Sequence, residues 1–132
     1  MNFFRKEPKT ESSGTDAVPP PPRGRVLVVE DDPTTCELVR RILVRAGYEV
    51  ATVGDGSEAL LESKRFSPDV IILDLMLPST DPGAGQFDGF GVLQWLNLRV
   101  SKLIPTIVLT CRQDEASRRQ AASLGAGKYL TK

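Results

Sequence analysis

From Arg25 onward, short unbroken apolar runs alternate with segments whose apolar residues recur at helical spacing. Val26-Leu27-Val28-Val29 has no polar face, the pattern of a strand buried on both sides in a parallel sheet. Asp32-Pro33 then opens a helix, with Asp as N-cap, Pro in the first turn, and Val39, Ile42, Leu43 and Ala46 on one face until Gly47 stops it. A second strand runs from Tyr48 to Val53. After the turn Gly54-Asp55-Gly56, Ser57 caps a helix carrying Ala59, Leu60 and Leu61, and Ser67-Pro68-Asp69 leads into a third strand, Val70 to Leu75. Residues 76 to 87 read as a long loop rich in Pro, Gly, Ser and Asp. Asp88 to Arg99 then reads as a helix burying Phe90, Leu93 and either Leu96 or Leu98. Pro105 to Thr110 gives a fourth strand, Asp114 to Leu124 a polar helix ended by Gly125, and Lys128 to Lys132 a short last strand.

Five strands with four helices between them predict a doubly wound α/β sheet, because parallel neighbours need a helical crossover to return the chain. Residues 1–24 differ in texture. They mix Lys, Glu, Ser, Thr and Gly before Pro19-Pro20-Pro21-Pro22, so they read as a solvated, proline-rich disordered leader, with residues 25–132 as the folded domain. A proline-rich docking peptide is the functional alternative for that leader.

Composition narrows the chemistry. The 17 basic and 17 acidic side chains cancel, which argues against a dedicated surface for nucleic acid or anionic membrane. With no histidine in the chain, Ser/His/Asp and Cys/His catalysis and histidine-ligated metal sites are excluded. The two cysteines, Cys36 and Cys111, form no CxxC pair and no disulfide framework, which suits a reducing cytoplasm. Met1-Asn2-Phe3-Phe4 is too short an apolar stretch for a signal peptide, and no later run is long enough to span a membrane.

Ligands of open α/β sheets bind outside the carboxyl ends of the strands. Here the first strand runs into Glu30-Asp31-Asp32, the third into Asp74, the fourth into Thr110 and the fifth into Lys132. Asp74 interrupts an otherwise apolar stretch, where an uncompensated carboxylate would be costly. Convergence of Glu30 and Asp31 on Asp74 would raise all three pKa values unless a cation is bound, and a hard divalent ion such as Mg²⁺ suits oxygen ligands. An ammonium and a hydroxyl opposite the metal could stabilise a phosphoryl group in transfer, with Asp74 as the nucleophile. Asp32, followed by Pro33, is better explained as a helix cap.

At these residues the chain resembles the receiver domain of two-component response regulators. The likeness covers Arg25 to Lys132. It rests on Val-Leu-Val-Val-Glu-Asp-Asp-Pro, Val-Ile-Ile-Leu-Asp-Leu-Met-Leu-Pro, Asp-Gly-Phe, Ile-Val-Leu-Thr and Gly-Ala-Gly-Lys-Tyr-Leu-Thr-Lys, in that order. The resemblance implies a flavodoxin-like sheet of strand order 2-1-3-4-5. It implies that Asp74 accepts a phosphoryl group from a sensor histidine kinase or a histidine phosphotransfer protein. Mg²⁺ would be held by Glu30, Asp31, Asp74 and the backbone carbonyl of Met76. Lys132 would contact the phosphoryl group, and Thr110 and Tyr129 would form a switch pair. Taken singly, Thr110 is an ordinary strand-ending residue and Tyr129 can be a plain core aromatic. On this reading the chain is a cytoplasmic signalling switch, not an enzyme acting on other substrates. It passes its state to an output domain or protein and binds neither nucleic acid nor membrane itself.

Three departures from the family pattern stand out. Nine residues, Ser79 to Phe87, separate Pro78 from Asp88, where the family has a short loop; they could shield the phosphorylated site or be a tolerated insertion. Cys111 follows Thr110 where the family carries a small residue such as alanine, with redox control as an alternative to simple packing. The sequence stops where a fifth helix would follow. We therefore expect the domain to be truncated, with one sheet face covered by the first helix alone and the family's homodimer surface incomplete. Two other functions compete: a phosphate-independent interaction module on the same fold, and an aspartate-nucleophile phosphohydrolase. The second typically needs an acidic residue two positions after the nucleophile, where this chain has Met76.

Overall fold

Each apolar run expected as a strand pairs in one parallel sheet. The computed structural model describes residues 18, 20–77, 89–99 and 104–132, with residues 97–99 described by backbone alone. Most of the 1–24 leader, the 79–87 loop, Asp88 and the Leu98 side chain therefore lie outside the described residues. The strands are β1 (Arg25–Val29), β2 (Glu49–Val53), β3 (Val70–Leu73), β4 (Thr106–Thr110) and β5 (Lys128–Thr131). Between them lie α1 (Pro33–Arg45), α2 (Gly56–Arg65), α3 (Gly89–Arg99) and α4 (Glu115–Ser123). The sheet order is β2-β1-β3-β4-β5, the expected doubly wound arrangement. β3 stops two residues earlier than expected. The Asp74 amide still donates to the Val29 carbonyl, but the Met76 amide is taken by the Asp74 side chain, and the chain leaves the ladder there.

The register sorts the strand residues onto two faces. Leu27, Ile71, Leu73 and Val108 share one face with Ala59 of α2, Val92, Leu93 and Leu96 of α3, and Ala121 of α4, and all are buried. Each large aliphatic side chain removed from water there contributes about 1.5–3 kcal/mol, which makes this the stabilising core. The opposite face carries Val26 and Val28 of β1 and faces α1. Toward β5 it becomes half-buried at Ile72, Ile107 and Leu109 and exposed at Leu130, with no helix covering it among the described residues.

That bare flank changes α1. Its apolar stripe was expected to be buried, yet Val39 and Leu43 are only half-buried, and Ile42 and Ala46 are exposed along with Leu38. More of the stability of α1 is therefore local. Asp32 caps it through the Thr35 amide at 3.0 Å, and Glu37 pairs with Arg40 and Arg41. Gly47, at φ 100°, supplies the left-handed residue that ends the helix. α2 departs in two ways: Asp55, not Ser57, is the cap, accepting from the Glu58 amide at 2.8 Å, and Leu61 points into solvent. Ala59 and Leu61 are two residues apart, about 200° around a helix, so Leu61 faces solvent where Ala59 faces the core. In α3, Leu93 and Leu96 are buried as expected, Phe90 is half-buried, and Val92, which the periodicity did not single out, is fully buried.

Beyond α2, Ser67 takes φ 52° immediately before the buried Pro68. A side chain in the left-handed region costs about 1 kcal/mol, and glycine carries no such penalty. Ser67→Gly is therefore expected to raise stability by up to about 1 kcal/mol, which urea denaturation would register as a higher midpoint at unchanged slope. An unchanged or lower midpoint would show that the Ser67 hydroxyl contributes more than the strain costs.

Candidate functional site

The carboxyl ends of β1, β3 and β5 bring the charged residues together. Glu30 follows β1 and Asp74 follows β3, and both are buried, while Asp31 is exposed. One carboxylate oxygen from each of Glu30, Asp31 and Asp74 lies within 4.8 Å of the others. Lys132, just past β5, reaches across the sheet end. Its Nζ donates to Glu30 Oε1 at 2.5 Å and to Asp74 Oδ2 at 2.8 Å. The remaining oxygens are also engaged: Asp74 Oδ1 accepts from the Met76 amide at 3.0 Å, and Glu30 Oε2 from the Asp32 amide at 3.2 Å.

These contacts set the protonation balance. Burial pushes the Asp74 carboxyl up, but the Lys132 ammonium, the Met76 amide and the Thr110 hydroxyl outweigh it and hold the group below its ordinary value. At Glu30 burial wins. With the Asp74 charge adding to it, that carboxyl stays above its ordinary value despite the Lys132 bond. Burial pulls Lys132 down, yet its two carboxylate partners outweigh this and hold it above its ordinary value. Three carboxylates against one ammonium leave two negative charges at the sheet end. The donor set is all oxygen, so both its charge and its hardness fit a divalent cation of the Mg²⁺ kind.

Thr110 closes β4, fully buried, with its hydroxyl close enough to Asp74 to help lower that group's pKa. Tyr129 is on β5 beside Val108, half-buried, and does not join the carboxylates; its hydroxyl donates to the Arg112 carbonyl at 2.9 Å. The Met76 side chain is exposed, and its Sδ accepts from the Cys111 thiol at 3.4 Å at the rim of the site.

Three contributors escaped the sequence reading. Gly89 opens α3 directly against the turn after β3, with its amide donating to the Leu75 carbonyl at 3.2 Å. A Cβ at this position would stand 2.3 Å from Leu75 Cα and 2.4 Å from the Asp74 carbonyl oxygen, so only glycine lets the helix approach the strand this closely. The Asp-Gly-Phe sequence was the available signal. Arg112 and Arg118 surround Tyr129, and no spacing rule would have linked them to it. A groove of about 630 Å³ between β2 and α2, lined by Thr52, Glu58, Leu61 and Arg65 among others, shares no residue with the carboxylate site.

Comparison with known proteins agrees with this geometry. Residues 26–132 match the family described as response regulator receiver domain. The chain is 37% identical over 109 residues to PhoP, the alkaline phosphatase synthesis transcriptional regulatory protein of Bacillus subtilis. That match takes in 82% of this chain and 42% of PhoP, so the chain spans less than half the length of this relative. Among solved structures, a response regulator of Chloroflexus aurantiacus superposes with a TM-score of 0.72 at 31% identity, covering 83% of this chain and 84% of that one. The BeF3-activated N-terminal receiver domain of RstA from Klebsiella pneumoniae gives a TM-score of 0.70 at 26% identity, covering 81% and 84% of the two chains. Among the described residues, no helix is long and apolar enough to cross a membrane.

Proposed function

The chain belongs to the response regulator receiver domain family, and from that premise we propose that Asp74 is its phosphoryl acceptor. The observation that carries this reading is the double contact of Lys132 with Asp74 and Glu30. Lys132 holds the acceptor ionised at neutral pH, and the same ammonium stands ready for the oxygens of an incoming phosphoryl group. Asp74 attacks phosphorus with a carboxylate oxygen, and the bond from phosphorus to the donor nitrogen breaks. Glu30, Asp31 and Asp74, joined by the Met76 carbonyl, would hold Mg²⁺, which when bound supplies positive charge to the phosphoryl oxygens. The Thr110 hydroxyl donates a hydrogen bond to a phosphoryl oxygen, and Tyr129 follows the turn that Thr110 begins. Met76 has no proton to give, so nothing two positions after Asp74 acts as the general acid a phosphohydrolase would use.

The phosphoryl donor is a phosphohistidine on a sensor kinase or phosphotransfer protein, and the readout is delivered by an output domain or protein outside residues 25–132. In this reading the chain catalyses only its own phosphorylation and dephosphorylation, and residues 1–24 serve as a leader. Intact mass after incubation with acetyl phosphate and Mg²⁺ tests the proposal. One added phosphoryl group is expected for the chain, and none for Asp74→Ala or without divalent cation. Equal addition to the Asp74→Ala variant would move the acceptor elsewhere. No addition under any condition, together with no Mg²⁺ binding, would leave a phosphate-independent interaction module as the better reading.

A further inference from the structure

After Thr110 the chain turns through Cys111, Arg112 and Gln113 to Asp114, the cap of α4. Tyr129, on the same sheet face, lies against this turn and is held from two sides. At its rim, the hydroxyl donates to the Arg112 carbonyl at 2.9 Å, and the Arg112 amide in turn approaches the Thr110 hydroxyl at 3.4 Å. Over its face lies the guanidinium of Arg118 from α4, 4.6 Å from the ring centroid. A ring anchored only at its hydroxyl can still pivot about that bond. A cation over the face removes this freedom, because it is attracted to the negative face of the ring and lost to solvent if the ring tilts away. The neighbouring arginines are engaged differently: Arg112 lies beside Asp114 at 3.8 Å, and Arg119 beside Glu115 at 3.5 Å. Among the described residues, Arg118 has no carboxylate partner to draw it off the ring.

We propose that Arg118 is a positioning residue for Tyr129, its guanidinium over the ring face fixing the pose in which the hydroxyl reaches the turn after Thr110. The proposal rests on the reading of Asp74 as acceptor and Tyr129 as its switch partner.

The test uses the full chain labelled with 3-fluorotyrosine. It has two tyrosines and therefore two fluorine signals, assigned with Tyr48→Phe. Spectra of wild type, Arg118→Ala and Arg118→Lys are recorded with and without acetyl phosphate and Mg²⁺. Arg118→Ala is expected to displace and broaden the Tyr129 signal while leaving that of Tyr48 in place, a loss of roughly two- to five-fold in the ratio of held to freed ring. Arg118→Lys is expected to recover part of it. A Tyr129 signal unchanged in Arg118→Ala under both conditions overturns the proposal. So does a joint displacement of both signals, which would report a general rather than a local change. The underlying reading fails separately. If the wild-type Tyr129 signal ignores phosphorylation while Arg118→Ala still displaces it, Arg118 holds the ring but the ring is not the switch.

Discussion

Lys132→Ala is expected to lose most of its phosphorylation and, without divalent cations, about 2–3 kcal/mol of stability at neutral pH. Removing one partner of a buried pair leaves the other uncompensated, and here two carboxylates lose their shared ammonium. The figure sits below the usual range for such a loss because the Lys132 side chain keeps 25% of its exposure. The pH dependence has a definite sign. In the wild type, the depressed Asp74 pKa gives stability that is present above the ordinary aspartate value and lost as pH falls through the folded value. The raised Lys132 pKa gives stability present up to the ordinary lysine range and lost only above it, in strong alkali. Glu30 acts in the opposite sense: its raised pKa disfavours the fold at neutral pH and is relieved by acid. In the variant, both buried carboxyls should titrate above their ordinary values. Its deficit against wild type should therefore shrink between pH 7 and pH 5, and shrink again when Mg²⁺ supplies the missing charge. Urea denaturation at the two pH values, with and without Mg²⁺, reads this directly. Loss of the expected donor at the transferring group should cost on the order of 10²–10³ in phosphorylation rate. A variant as stable at pH 7 as wild type and phosphorylated at the same rate would remove Lys132 from the site.

The second large effect belongs to Gly89. Gly89→Ala is expected to destabilise the fold by about 3 kcal/mol, the upper end for overpacking, and to reduce phosphorylation with it. The added carbon meets backbone at Leu75 and Asp74 rather than a side chain that can rotate away. Relief requires either α3 to retreat, uncovering Val92 and Leu93, or the turn carrying Asp74 to shift. The two responses are separable. A variant with a lower urea midpoint but a normal phosphorylation rate per folded molecule would place the strain in α3. A stable variant with slow phosphorylation would place it in the turn.

Much of the fold was legible because each strand is a continuous apolar run bounded by turn residues, a pattern that burial on both faces produces. Asp74 was legible for the complementary reason, since a carboxylate inside such a run has to be compensated. Periodicity failed where burial depends on what lies across the sheet. The stripe on α1 was correctly spaced, but Ile42 is exposed because the neighbouring sheet flank carries no second helix among the described residues. The cap of α2 was misplaced because Asp55 and Ser57 are both good caps, and only the Glu58 amide bond distinguishes them. Gly89 and Arg118 were harder to single out for a different reason: each acts through one close contact made as its helix is seated on the sheet, and only for Gly89 did a local sequence, Asp-Gly-Phe, mark the position.

Lys132 and Glu30 are 102 residues apart, yet their bond lies at the centre of the site. Glu30 follows a strand in the sheet interior, and Lys132 follows the edge strand β5. A contact of this span can form only after the intervening strands have taken their places, because closing so long a loop early has an entropic cost that nothing local offsets. During synthesis, Asp74 leaves the ribosome long before its counter-ion does. A nascent or partly folded chain therefore holds Asp74 without the ammonium that pairs with it, and the site proposed to take a phosphoryl group is completed only once β5 has joined the sheet.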